Sequence, residues 1–216
     1  MSIHIPKFNI TYYPVPKNAC TSIKHSLYTI ENGRQFENFF AGGKGKNIHS
    51  IYPSTRFPDP QATIQPKSII NSNKFAVYRD PIQRFLSAFS NRVINHRELN
   101  ANRLAKNDKF SALQPDPEPG YLVEQLDNYL KVPTIAHHMS PQVNFLGNDP
   151  SFYTYLVDIS ELHKLEDFLS HIIGRDISFP RLQTGGPKLK TDILTKSQLS
   201  ILRAFYKDDY TFISKI

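Results

Sequence analysis

The stretch NITYYPVPKNACTSIK, residues 9–24, passes from strand-forming to helix-forming residues across one short turn. Asn9 to Val15 is rich in β-branched and aromatic side chains and predicts a strand. Pro16 interrupts it. From about Cys20 the run ACTSIKHSLYTI supports a helix that stops near Asn32-Gly33, a C-cap signal. The amide groups that open such a helix have no partner within it, and the helix dipole adds partial positive charge, so the turn suits a phosphate. Thr21 and Ser22 add hydroxyl donors, and Lys17 adds a full charge at the lip. Glycines at Walker spacing (G-x-x-x-x-G-K-[ST]) are missing, which argues against an ordinary nucleoside-triphosphate loop. Taken alone, the stretch reads equally well as a plain strand–helix turn with a solvated lysine.

The same grammar recurs further along. Lys74 to Tyr78 (KFAVY) predicts a second buried strand, running straight into Arg79-Asp80-Pro81. Asp80 is a natural N-cap there and Pro81 a favoured first helical residue. The helix that follows places Ile82, Phe85, Leu86, Phe89 and Val93 on one face. Arg79 leaves a strand end while Ser87 lies about two turns along that helix, and both could reach one anion. An arginine grips phosphate with parallel charge-assisted hydrogen bonds, which a lysine cannot do. Arg84 reads as an exposed helix arginine.

Phe152 to Val157 (FYTYLV) predicts a third strand, with Ser160 capping a helix to about Ile173 and Gly174 ending it. Tyr121 to Leu130 predicts a helix, and Thr195 with Gln198 forms a capping box that opens a last helix to about Tyr206. Gly42, Gly43 and Gly45, then Pro53, Pro58, Pro60 and Pro66, predict surface loop. Arg181 to Lys190 predicts a loop around Gly185-Gly186-Pro187. Residues from about 100 to 120 are polar and Pro-rich, and predict a mobile excursion. Strands alternating with helices predict an α/β fold in three layers, P-loop-NTPase-like, with a central parallel sheet flanked by helices. The chain reads as one domain over residues 1–216.

With 216 residues, 39% hydrophobic and 21% charged, the composition is that of a globular domain. No apolar run approaches the ~20 residues of a membrane span, and the first ten residues predict no secretory signal. A single cysteine, Cys20, excludes an internal disulfide and any Cys-based zinc cluster. No His/Asp/Glu set at ligand spacing suggests a metal. These features predict a cytoplasmic protein. The net charge of +7 suits an anionic partner, with basic residues spread along the chain rather than gathered in a nucleic-acid-binding arm.

In their order and spacing these motifs resemble the sulfotransferases that use 3'-phosphoadenosine-5'-phosphosulfate (PAPS), and most of all the carbohydrate sulfotransferases acting on chondroitin, dermatan and the HNK-1 glycan. The 5'-phosphosulfate loop of that family looks like V-P-K-x-A-C-T-x-x-K, matched by Val15, Pro16, Lys17, Ala19, Cys20, Thr21 and Lys24. Its 3'-phosphate motif looks like R-[DE]-P-x-x-R-x-x-S-A-F, matched by Arg79, Asp80, Pro81, Arg84, Ser87, Ala88 and Phe89. A weaker element, H-x-x-P-Q, is matched by His138, Pro141 and Gln142. The resemblance runs from about residue 12 to about 212. The membrane anchor and additional cysteines of animal members have no counterpart in this sequence.

The resemblance implies a donor, PAPS, that leaves as adenosine 3',5'-bisphosphate, and no metal. Pro16, Lys17, Asn18, Ala19, Cys20, Thr21 and Ser22 would hold its 5'-phosphosulfate, and Arg79 and Ser87 its 3'-phosphate; Lys188 and Lys190, after Gly185-Gly186, read equally well as a flap over the nucleotide and as a solvated basic loop. Lys17 would meet the charge developing on the leaving oxygen. The acceptor hydroxyl, of a glycan or glycoside, needs a general base. His138 is the first candidate because it heads H-x-x-P-Q, and His49, in the loop after the first helix, is the second. Cys20 corresponds to a loop-packing residue rather than a nucleophile. Two other readings stay open at this point: a small-molecule kinase on a related phosphate-loop fold, and a basic protein that binds glycan or nucleic acid without catalysis.

Overall fold

The computed structural model describes residues 2–53, 67–182 and 185–216. Pro58, Pro60 and Pro66 of the expected surface loop lie outside the described residues, as does part of the 181–190 loop. The chain divides into two compact units. One gathers Met1–Arg79, Gln142–Gln183 and Lys215–Ile216; the other gathers Asp80–Pro141 and Thr184–Ser214.

The first unit is built on a four-stranded sheet. Its strands are β1 (Ile3–Ile5), β2 (Ile10–Tyr12), β5 (Asn73–Tyr78) and β6 (Tyr155–Asp158), in the order β1-β2-β5-β6. β2, β5 and β6 run parallel, with Tyr12 opposite Phe75 and Val77 opposite Val157. β1 pairs antiparallel with β2, so the sheet is mixed and mostly parallel rather than wholly parallel. Asn9 makes the reversal between them, in the left-handed region at φ 51°, a conformation that asparagine tolerates better than most residues.

Three expected elements follow β2, β5 and β6. Helix α1 spans Cys20–Asn32 and ends on Gly33 at φ 70°, where the missing Cβ permits the left-handed cap. Short helices α2 (Ile48–Ile51) and α3 (Lys67–Ile70) precede β5. A helix at Leu162–Ile173 follows β6 and ends on Gly174. Its approach is capped by Asp158, which accepts the Ser160 amide at 2.8 Å, rather than by Ser160 itself. The Ser160 hydroxyl itself donates to the same carboxylate at 2.6 Å. Alternate residues Ile10 and Tyr12, then Phe75 and Val77, share one buried cluster with Ile23, Leu27, Leu165 and Leu169. Phe75 is wholly buried, and its removal from water contributes roughly 2–3 kcal/mol. The glycine-rich stretch after α1 folds as a hairpin of β3 (Phe39–Ala41) and β4 (Lys44–Lys46).

The second unit is helical. Helix α4 (Pro81–Phe89) begins as expected, with Asp80 accepting the Gln83 amide at 2.8 Å and Pro81 at its first position. It then widens into a π-helix, Ser90–Asn95. Ile82, Phe85, Leu86, Phe89 and Val93 are all in its core, as the periodicity indicates. The residues 100–120 are not a structureless excursion. They carry a helix at Ala101–Leu104 and a 3-10 turn at Asp108–Phe110, with Leu99 and Leu104 buried in the core. The expected helix at Tyr121–Leu130 is two pieces, Pro119–Glu124 and Leu126–Tyr129. Thr195 and Gln198 form the anticipated capping box of the Lys196–Phe205 helix.

Candidate active site

β2 and β5 are parallel neighbours, so their carboxyl ends emit loops on the same edge of the sheet. Ligands of open α/β sheets bind at such ends. β2 leads into the turn at residues 13–19 and β5 leads directly to Arg79.

The turn is shaped by its backbone. Lys17 has φ 71° and Ala19 φ 55°, so two residues with side chains sit in the left-handed region around Asn18. Each such residue costs about 1–2 kcal/mol and persists only where its surroundings over-determine it. The Asn18 amide between them donates to the Val15 carbonyl at 3.2 Å and closes the turn. Ala19 is the N-cap of α1, and no side chain caps that end. The opening amides of the helix are thereby left for a ligand or solvent.

A buried bracket holds the two strand ends together. Asn18, fully buried, donates through Nδ2 to the Val77 carbonyl at 2.8 Å and to Gln142 Oε1 at 2.6 Å. Gln142 Oε1 also accepts the Arg79 amide at 3.1 Å, and its Nε2 donates to the Arg79 carbonyl at 2.8 Å. Arg79 in turn donates from its guanidinium to the Lys17 carbonyl at 3.2 Å. Gln142 ends the H-x-x-P-Q element, but the sequence gives no sign of its bracketing role. A glutamine bridging a loop amide and a distant main chain leaves no local pattern to read. Gln142→Leu keeps the shape but strips partners from Asn18 and from both Arg79 main-chain groups. Stability is expected to fall by about 2–4 kcal/mol, since each orphaned buried group costs ~1–3 kcal/mol. Urea denaturation checks this, and a loss below ~1 kcal/mol would mean the bracket holds nothing.

His49 meets the same turn. Asn47 Oδ1 accepts the His49 and Ser50 amides at 2.9 and 3.2 Å, a capping box that seats the histidine in the first turn of α2. Its Nε2 lies 3.0 Å from Thr21 Oγ1 and its Nδ1 lies 3.2 Å from Lys24 Nζ. Lys24 is fully buried one turn beyond Thr21 on α1. Burial lowers its ammonium to about 8, with the nearby Cys20 thiol opposing the shift. Ser22 Oγ accepts the Leu182 amide at 3.4 Å, which leaves the serine proton to donate. Leu182 also lines a cavity of about 540 Å³ with His25, Ser26, Phe36, Arg175 and Ile177, a volume in the range of small-molecule sites.

Pro16, Lys17, Asn18, Ala19, Cys20, Thr21, Ser22, His49 and Arg79 therefore belong to one unit and to one edge of its sheet. Ser87, His138, Lys188 and Lys190 belong to the second unit. Ser87 is half-buried on α4. Arg84 is fully buried rather than exposed, donating to the Ser140 carbonyl at 2.7 Å. His138 gives its Nδ1 proton to the Thr134 carbonyl at 2.7 Å and meets the His137 ring edge-on. Lys188 and Lys190 are exposed. Just before them, Gly186 sits at φ 90°, where a Cβ would come within 2.8 Å of the Ser90 carbonyl, and Ser90 Oγ donates to the Pro187 carbonyl at 2.6 Å. Among the described residues, no group of three potential metal ligands occurs, and no helix is long and apolar enough to cross a membrane.

A turn at a helix start is thus bracketed to a strand-end arginine at the carboxyl edge of a mostly parallel sheet. The chain belongs to the sulfotransferase family, whose profile matches residues 2–212. Comparisons with curated proteins and with solved structures return no significant match.

Proposed function

We propose that this chain is a single-domain enzyme that transfers the sulfonate of PAPS to a hydroxyl of a carbohydrate acceptor. The observation that carries the reading is the hydrogen bond from Arg79 to the Lys17 carbonyl, which ties the 5'-phosphosulfate turn to the first residue of the 3'-phosphate motif. Thr21, Ser22 and the opening amides of α1 bind the 5'-phosphate. Arg79 and Ser87 are assigned to the 3'-phosphate on the motif they share. Exposed Lys188 and Lys190 are assigned to covering the nucleotide.

In the transfer, the acceptor oxygen forms a bond to sulfur as the bond from sulfur to the 5'-phosphate oxygen breaks. Lys17 stabilises the charge that collects on that leaving oxygen. The acceptor proton passes to His138. Its Nδ1 proton rests on the Thr134 carbonyl, which puts the lone pair on Nε2 as a base requires. The net charge of +7 and the resemblance to carbohydrate sulfotransferases support an anionic glycan or glycoside as acceptor.

Thermal shift tests the donor. Adenosine 3',5'-bisphosphate at 100 times its dissociation constant stabilises the native state by about 2.7 kcal/mol and raises the melting temperature. A rise with ATP and magnesium but none with the bisphosphate would replace this reading by a kinase. Binding of polyanions with no response to either nucleotide would replace it by a non-catalytic binding protein. Donor-labelled sulfonation of a panel of glycans and small alcohols then identifies the acceptor.

A further inference from the structure

Behind the phosphate turn, two side chains to which the transfer assigns no part, Lys24 and His49, lead up to Thr21. A lysine ammonium has donors and no acceptor. Where Lys24 Nζ approaches His49 Nδ1 at 3.2 Å, the lysine gives the proton and Nδ1 receives it. The neutral ring then carries its own proton on Nε2, which faces Thr21 Oγ1 at 3.0 Å. The threonine oxygen accepts from the ring, so its own hydroxyl proton must be donated elsewhere. Thr21 is the second residue of α1, at the end where amides converge on an anion.

We propose that Lys24 and His49 are positioning residues that fix the Thr21 hydroxyl as a donor toward the anion held in the turn. The proposal rests on the reading of that turn as the 5'-phosphate site. It assigns His49, the second candidate for general base, to orienting Thr21 instead. Lys24 titrates near 8, so at neutral pH the ammonium form that drives the chain predominates. Three features make the arrangement a built one. Lys24 is wholly buried, Thr21 is nearly so, and the capping box of α2 seats His49 independently of both.

The test compares adenosine 3',5'-bisphosphate with adenosine 3'-monophosphate, which lacks the 5'-phosphate, by calorimetry on the full chain. Lys24→Met is expected to weaken bisphosphate binding about tenfold while leaving the monophosphate unchanged, the effect of losing one oriented charge-assisted donor. Lys24→Gln, whose amide can still donate to Nδ1, is expected to recover most of that loss. Nitrogen-15 NMR of the imidazole reads the tautomer directly: Nε2-protonated in the wild type and in Lys24→Gln, mixed in Lys24→Met. A Lys24→Met protein with the wild-type preference for the bisphosphate, or with an unchanged His49 tautomer, overturns the proposal. Equal losses in Lys24→Gln and Lys24→Met would assign the effect to charge alone and overturn it too. Should Lys24→Met fail to fold, Thr21→Val carries the same comparison and must lose the same preference. A wild type that binds both nucleotides equally, yet keeps the Nε2 tautomer, refutes the phosphate reading of the turn and leaves the Lys24–His49 hydrogen bond standing.

Discussion

Lys17→Ala is expected to lower kcat at saturating donor by about 100-fold or more, the scale of removing one preorganised oxyanion donor, with a much smaller change in affinity for adenosine 3',5'-bisphosphate. The substitution is a clean one for a structural reason. Lys17 sits at φ 71°, a conformation that alanine and lysine resist alike, and the Arg79 guanidinium holds its carbonyl. Alanine therefore removes the ammonium while the turn keeps its incentive to stay as it is. Charge develops on the leaving oxygen only as the sulfur–oxygen bond breaks, so the loss belongs to the transition state and not to ground-state binding. Single-turnover transfer from labelled donor measures it. Near-wild-type turnover would remove Lys17 from the chemistry.

Arg79→Ala is expected to weaken binding of adenosine 3',5'-bisphosphate by about 30–100-fold, since charge-assisted hydrogen bonds to phosphate contribute ~1.5–3 kcal/mol. Adenosine 5'-monophosphate, without the 3'-phosphate, should bind wild type and variant within about threefold of each other. Arg79→Lys should recover only part of the loss, because a point charge cannot reproduce two parallel hydrogen bonds. The guanidinium also reaches the Lys17 carbonyl, so a modest fall in kcat accompanies the loss of affinity. An unchanged preference for the bisphosphate over the monophosphate would show that Arg79 does not read the 3'-phosphate.

Much of the frame was legible because it is written in short-range rules. The strand–turn–helix at residues 9–32, the Asp80-Pro81 start of α4 and the Thr195–Gln198 box each follow from residues within a few positions of one another. The misreadings share the opposite character. Arg84 looks solvent-facing until the Ser140 carbonyl arrives from 56 residues away. The Gln142 bracket joins partners 63 and 124 positions distant. Polar composition at 100–120 hid Leu104, whose burial anchors that segment. β1 has only three residues, too few for alternation to announce it, and its antiparallel pairing makes the sheet mixed. At the candidate site, the turn between β2 and α1 could be read from sequence, whereas the Lys24–His49–Thr21 chain needed α2 to be brought onto α1.

The left-handed pair at Lys17 and Ala19 bears on how this enzyme can be altered. Glycine relieves that conformation at no steric cost, so any laboratory selection for heat tolerance will be drawn to Ala19. The survivors would trade a mould set at synthesis for a hinge that each incoming nucleotide must freeze anew.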